Sequence, residues 1–164
     1  MRAAADTVLD RYPSLDVVIG NAGVMNTPFG RTEDGFETQF GVDHLGHFVF
    51  YNRIVRSLIA AAPSRIVMLS SGAHFTSDIR WDDVNWERTE YDKFLAYGQA
   101  KTANMLCAVA MNDRLANRGV KAFSVHPGVI ETNLGRYMSD EDRAEMIARM
   151  IERMGGDPDE ARNM

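Results

Sequence analysis

Arg65-Ile66-Val67-Met68-Leu69, closed abruptly by Ser70-Ser71-Gly72, is the stretch that decides the fold. It is short and aliphatic on consecutive positions, as a strand buried on both faces must be. Two other runs repeat the pattern. Asp16-Val17-Val18-Ile19 leads into Gly20-Asn21-Ala22-Gly23, and Lys121-Ala122-Phe123-Ser124-Val125 leads into His126-Pro127-Gly128. Helix-length segments precede and separate the three runs, which implies βαβ crossovers and a parallel sheet. The expected class is therefore α/β, in a single domain covering 1–164. Ligands of open α/β sheets sit in the crevice outside the carboxyl ends of the strands, where the three small-residue turns converge. Each turn taken alone is also ordinary loop chemistry, since Gly, Pro, Asn and Ser dominate turns.

Working outward, the helix ends are legible. Residues 2 to 11 form an amphipathic piece stopped near Pro13. Thr32, followed by Glu33 and Asp34, is placed to cap a long helix running to about Ala61. A third helix is expected from near Lys93 to Arg118-Gly119, a basic last turn and a glycine stop. Ser139 with Asp142 resembles a capping box and opens a fourth, with Met146, Ile147, Met150, Ile151 and Met154 on one face. Gly155-Gly156 is its expected end.

The chain has 164 residues, 45% hydrophobic and 25% charged, enough for a real core and unlike a disordered or low-complexity sequence. One cysteine, Cys107, excludes an internal disulfide framework. A net charge of −5 with acids and bases intermixed offers no basic field, so nucleic acid is not an expected partner. No apolar run approaches the roughly 20 residues of a membrane-spanning helix. The first residues meet Asp6 before any signal-peptide apolar core develops. A cytoplasmic location is the expectation.

Tyr97 and Lys101 stand four apart on the third helix, which places them on one face. A tyrosine near its usual pKa of about 10 is a poor proton carrier at neutral pH. An adjacent ammonium favours the phenolate, so the spacing suggests an activated Tyr97. Ser71, at the end of the preceding strand, adds a hydroxyl able to orient a substrate oxygen. The pair by itself is weak, because Tyr and Lys occur at this spacing by chance.

Taken in order, Asn21-Ala22-Gly23, Ser70-Ser71, Tyr97-xxx-Lys101 and Pro127-Gly128-xxx-Thr132 resemble the short-chain dehydrogenase/reductase family. Phe40-Gly41-Val42-Asp43-His44-Leu45-Gly46-His47-Phe48 and His126-Pro127-Gly128 resemble its retinol-dehydrogenase-like branch. The resemblance implies a partial Rossmann-type, doubly wound sheet and hydride transfer between NAD or NADP and a small apolar alcohol, aldehyde or ketone. It makes Tyr97 the general acid/base, Lys101 its modulator and a ribose ligand, and Ser71 the holder of the substrate oxygen. Asn21, Ala22 and Gly23 would line the cofactor, with Pro127, Gly128, Ile130 and Thr132 near the nicotinamide carboxamide or a phosphate. The long helices, about 33 to 61 and 93 to 117, are those through which the resemblance implies a homodimer. Gly41, Gly46, Ala100, Ala103 and Ala108 are small residues suited to close approach; packing on the sheet is the alternative use.

Three departures stand out. Asp43 occupies the position of the family's catalytic asparagine, which helps hold a relay water partly through its main chain. A retuned or impaired relay is expected. Gly20 replaces the first residue of the usual Asn-Asn-Ala-Gly, a change expected to be mild. No glycine-rich pyrophosphate turn follows any strand, and the residue that would choose between NAD and NADP is absent with it. The chain thus reads as the catalytic half alone, binding cofactor weakly or not at all, with its first strand a bare apolar edge. Two other readings stay open. One is a non-catalytic remnant or association module of the same fold. The other is a metal hydrolase built on His44, His47, His74 and His126, which lacks an H-E-x-x-H or an acidic partner set, so no metal is expected. The Met-rich face of the fourth helix suits either a lid or plain packing. Trp81 to Trp86 is expected to be a surface insertion shaping the substrate mouth.

Overall fold

Three strands, β1 (Val17–Gly20), β2 (Ser64–Leu69) and β3 (Val120–Val125), form one parallel sheet in the order β1-β2-β3. The computed structural model describes residues 1–128, 130, 132–153 and 155, so Met154 and Gly156 lie outside the described residues. Helices α1 (Arg2–Arg11), α2 (Gly46–Ala60), α3 (Lys93–Leu115) and α4 (Asp140–Arg153) complete the fold. The α/β class and parallel order agree with the sequence reading.

Register explains which side of the sheet is filled. Val18, Ile66 and Ala122 are aligned across the strands, as are Ile19, Val67 and Phe123. Even-numbered side chains of β2 and β3 enter a core with Ile54 and Leu58 of α2 and Ala108 and Met111 of α3. Odd-numbered positions point to the other side, where Val17, Ile19, Phe123 and Val125 are exposed. That face carries no layer among the described residues, and β1 is the apolar edge expected.

The two margins of the sheet differ. Arg65 N donates to Asp16 O, so even positions of β1 face β2 and the backbone of Val17 faces outward. On β3, Gly119 O and Val125 O accept from Ser64 N and Ser70 N, which turns Ala122 outward. There Asn112 of α3 takes both groups, donating to Ala122 O at 2.6 Å and accepting from Ala122 N at 3.0 Å. An amide side chain fills the place of a neighbouring strand.

Thr32 does not open the long helix. Its hydroxyl accepts from Phe36 N in a turn around Gly35, which has φ +86°, and Arg31 then bridges Glu37. Helical backbone begins at Thr38, and residues Phe40–Leu45 are a π-helical turn leading into α2. The buried Glu37 carboxylate supplies the cap, accepting from Gln39 N at 2.8 Å and Phe40 N at 2.7 Å. An ionised acceptor at the start of the helix outcompetes a hydroxyl spent five residues earlier on a turn. Burial, opposed by those hydrogen bonds, pushes the Glu37 carboxyl above the ordinary range.

Elsewhere the expected signals hold. Asp92 caps α3 through Phe94 N and Leu95 N, and Gly119 ends the helical run at φ +78°. The Ser139–Asp142 box forms in both directions, at 3.1 and 2.9 Å. Helix α4 lies against the start of α3 through Arg149–Asp92 at 3.0 Å and Lys93–Asp142 at 2.5 Å. Both pairs are partly solvated, so Arg149→Gln should cost less than about 1 kcal/mol. Its expected signature is faster proteolysis within α4, reproduced in the parent chain by raising salt.

Candidate active site

The strand ends meet around one side chain. Asp43, fully buried, lies in the π-helical turn, and its Oδ1 accepts from Val24 N at 2.8 Å, just beyond the β1 turn. Its Oδ2 faces Lys101 Nζ at 3.0 Å. Lys101 also donates to Leu69 O at the end of β2, at 3.4 Å. Ser70 Oγ donates to Lys101 O at 2.9 Å, tying the Ser70-Ser71 turn to α3. The Lys101 ammonium sits 5.1 Å from the centre of the Tyr97 ring, and the Ser71 hydroxyl acts on the Tyr97 phenol. Ser71, Tyr97, Lys101 and Asp43 are therefore brought together. The His126 ring, from the β3 turn, would lie 3.7 Å from a Cβ on Gly72.

The charge arrangement differs from the one expected. Burial, reinforced by the negative charge of Asp43 and opposed by Ser71, pushes the Tyr97 phenol above its usual value. The Lys101 ammonium beside it is paired with Asp43 at 3.0 Å. Burial likewise raises the Asp43 carboxyl, with Lys101 the main opposing influence. The main-chain oxygen of Asp43 is itself engaged. Asp43 O receives His47 Nδ1 at 2.9 Å and Asn104 Nδ2 at 3.1 Å, so both of its lone-pair directions are used.

The cofactor-side positions divide. Asn21 and Ala22 are exposed beside Gly23, and a Cβ on Gly23 would come within 3.2 Å of Asp43 Oδ1. Pro127, Gly128, Ile130 and Thr132 are all exposed, with Gly128 at φ +86°. Thr132 Oγ1 accepts from Leu134 N, capping a short 3-10 turn. That hydroxyl serves its own chain.

Several expectations need correction. Gly20 is not a mild change: a Cβ there would stand 1.8 Å from the Tyr51 hydroxyl, which occupies the space. Trp86 is buried with Arg80 stacked 4.1 Å above it, an anchor rather than a surface insertion. Trp81 is 78% exposed and lines a groove of about 460 Å³ along α2 and α3 instead. Ala100, Ala103 and Ala108 are spent inside the chain, and Gly41 packs on Thr32. Among the described residues, no group of three His, Cys, Asp or Glu side chains could hold a metal. No helix there is long and apolar enough to cross a membrane.

Sequence reasoning missed Asn104. It is buried and bridges Asp43 O and Leu69 O, while its Oδ1 meets His44 Nδ1 at 3.0 Å. The signal was present: Asn104 follows Lys101 by three residues on the face that carries Tyr97. Glu37 and Gln39 were also missed. Gln39 Oε1 accepts from Asn26 N, and its amide donates to Tyr91 Oη and Lys93 O, fastening the β1 loop to the start of α3.

A three-stranded parallel α/β sheet with a tyrosine, lysine and serine at its carboxyl edge defines the class as a Rossmann-type fold. A family model described as enoyl-(acyl carrier protein) reductase matches residues 1–164, and the chain belongs to this family of the short-chain dehydrogenases/reductases. Human retinol dehydrogenase 13 is 45% identical over 137 residues, covering 84% of this chain and 41% of that protein. Human retinol dehydrogenase 14 is 44% identical over 138 residues, with the same coverage of 84% and 41%. The chain thus spans about two fifths of these curated relatives. A crystal structure of an uncharacterised Mycobacterium paratuberculosis protein matches with TM-score 0.69 and 38% identity, over 82% of this chain and 49% of that one. The 3-alpha-hydroxysteroid dehydrogenase of Pseudomonas sp. B-0831, solved with NADH, shares the fold at TM-score 0.71 and 22% identity, over 87% and 59%.

Proposed function

We propose that this chain supplies the proton-transfer side of an oxidoreductase that moves hydride between NAD or NADP and a small apolar alcohol or carbonyl compound. The observation that carries the reading is the meeting of Ser71, Tyr97 and Lys101 at the end of β2. Tyr97 would exchange the proton with the substrate oxygen, and Ser71 would orient that oxygen. The donor chemistry fits the nicotinamide-ribose end of the cofactor: the Tyr97 hydroxyl, the Lys101 ammonium, Asn21 and the backbone at Gly23 and Gly128. Nothing in the sequence offers a glycine-rich pyrophosphate turn. When bound, the nicotinamide supplies the hydride. Exposed Phe75, Ile147 and Met150 favour an apolar substrate.

The relatives' names, retinol dehydrogenases, support an alcohol/carbonyl pair as substrate. A homodimer through the outer faces of α2 and α3 is supported by exposed Phe48, Leu106 and Val109 beside the Trp81 groove. The lone buried Cys107 favours a cytoplasmic setting and a single domain without disulfides. A second reading, a non-catalytic association module of the same fold, is favoured by one observation: Lys101 is engaged by Asp43.

The test compares this chain with one preceded by a strand, a glycine-rich turn and their connecting helices. The extended chain should oxidise apolar alcohols with NAD or NADP, and Tyr97→Phe should reduce its turnover at least about 100-fold. The short chain alone should show no micromolar affinity in a cofactor-fluorescence titration. An extended chain that folds and binds cofactor but turns nothing over would favour the association module.

A further inference from the structure

Two negative charges compete for Lys101 in this site, one present and one latent. The Asp43 carboxylate is 3.0 Å from Nζ; the Tyr97 hydroxyl would become a second anion only on losing its proton. Nζ lies over the face of the Tyr97 ring, 5.1 Å from its centre, on the way to Asp43 and Leu69 O. Coulomb attraction falls with distance and is strong where water is excluded, so the carboxylate in contact with Nζ holds the ammonium. An asparagine at position 43 would exert no such pull.

We propose that Asp43 is a positioning residue that holds the Lys101 ammonium against itself, leaving the Tyr97 phenol protonated and the site at rest. Its meaning for catalysis rests on the oxidoreductase reading above; the charge arrangement itself does not. The charges facing Asp43 are few. Lys101 and Tyr97 come from α3, while His47 and Glu37 come from the helix that carries Asp43. The β1 loop adds only the Val24 N–H, and Asn104 only a neutral amide. Among the described residues Lys101 is the cation paired with the Asp43 carboxylate, and His47 adds a weaker pull. Burial raises both Tyr97 and Asp43, and the negative charge of Asp43 raises Tyr97 further. Anything that neutralises Asp43, by substitution or by protonation, frees Lys101 for Tyr97.

Tyrosinate absorbance reads this without cofactor or turnover. The chain has five tyrosines, and subtracting the titration of the matching Tyr97→Phe protein isolates this one. In the parent chain Tyr97 should ionise above the ordinary tyrosine range of about 10. In Asp43→Asn its midpoint should fall by at least about one pH unit, tenfold in the ionisation constant. Should Asp43→Asn fail to fold, Asp43→Ser, which keeps an oxygen for Val24 N, gives the same reading. The double variant Asp43→Asn/Lys101→Met should shift clearly less than Asp43→Asn, because only the direct effect of removing the Asp43 charge remains. An unchanged midpoint in the neutral variant, or a shift of the same size in the double variant, overturns the proposal. A shift found together with an inactive extended chain would sink the oxidoreductase reading and leave this one standing. Turnover without any shift would do the reverse.

Discussion

Replacing Gly20 by asparagine, the residue its relatives' motif would call for, should destabilise the chain by about 3 kcal/mol, the upper part of the range for overpacking a filled core. The cause is local. The new Cβ would stand 1.8 Å from Tyr51 Oη and 3.0 Å from Tyr51 Cζ, and Tyr51 is locked in the core. His47 stacks on the same ring, so the phenol has no simple escape. A thermal melt should show the loss as a fall in Tm of roughly 6 to 12 °C. Tyr51→Phe provides the internal control. The Tyr51 hydroxyl is buried without a hydrogen-bond partner, so removing it should be neutral or slightly stabilising. Combined with Gly20→Asn, it should recover a large part of the loss. Equal melts for the single and double asparagine variants would contradict the clash.

Removing the cation of the buried pair should cost more. Lys101→Met leaves Asp43, fully buried, with the Val24 N–H but no countercharge, and breaking such a pair typically costs about 3–5 kcal/mol. The penalty carries a pH signature. Burial already holds the Asp43 carboxyl above the ordinary range, with Lys101 opposing, and loss of Lys101 raises it further. A carboxyl whose folded pKa exceeds its unfolded one binds its proton more firmly in the folded chain. Stability is therefore best preserved below the ordinary aspartate value of about 3.9 and is lost as pH rises through the raised value. Denaturant melts of Lys101→Met across that interval should diverge from the parent with increasing pH, then run parallel. A constant gap at every pH would mean that Asp43 is not the group left unpaired.

The parallel sheet was legible from its short aliphatic runs, but the burial on both faces that such runs suggest is not met: Ile66 and Met68 fill one face while Ile19 and Phe123 leave the other exposed. The ends of α3 and α4 were legible because capping is a local interaction between near neighbours. The start of the long helix was not. Thr32 had the right chemistry, but Glu37 reached the free amides, and only folding shows which acceptor wins. At the site, spacing was enough to unite Tyr97 with Lys101, since four residues of helix fix their common face. The electrical state was beyond it. Whether Lys101 serves the phenol or a carboxylate depends on Asp43, 58 positions earlier in the chain, and on the burial of both. Gly20 was misjudged for a similar reason: its meaning lies in Tyr51, a partner from the next helix.

The amide of Asn112, seated on Ala122, gives the sheet a direction. An extended segment approaching β3 must first evict a side chain that already satisfies the backbone, whereas one approaching β1 meets open groups at Val17. Lateral growth is thus biased toward β1, and the molecule behaves as a template with a guarded flank and a receptive one.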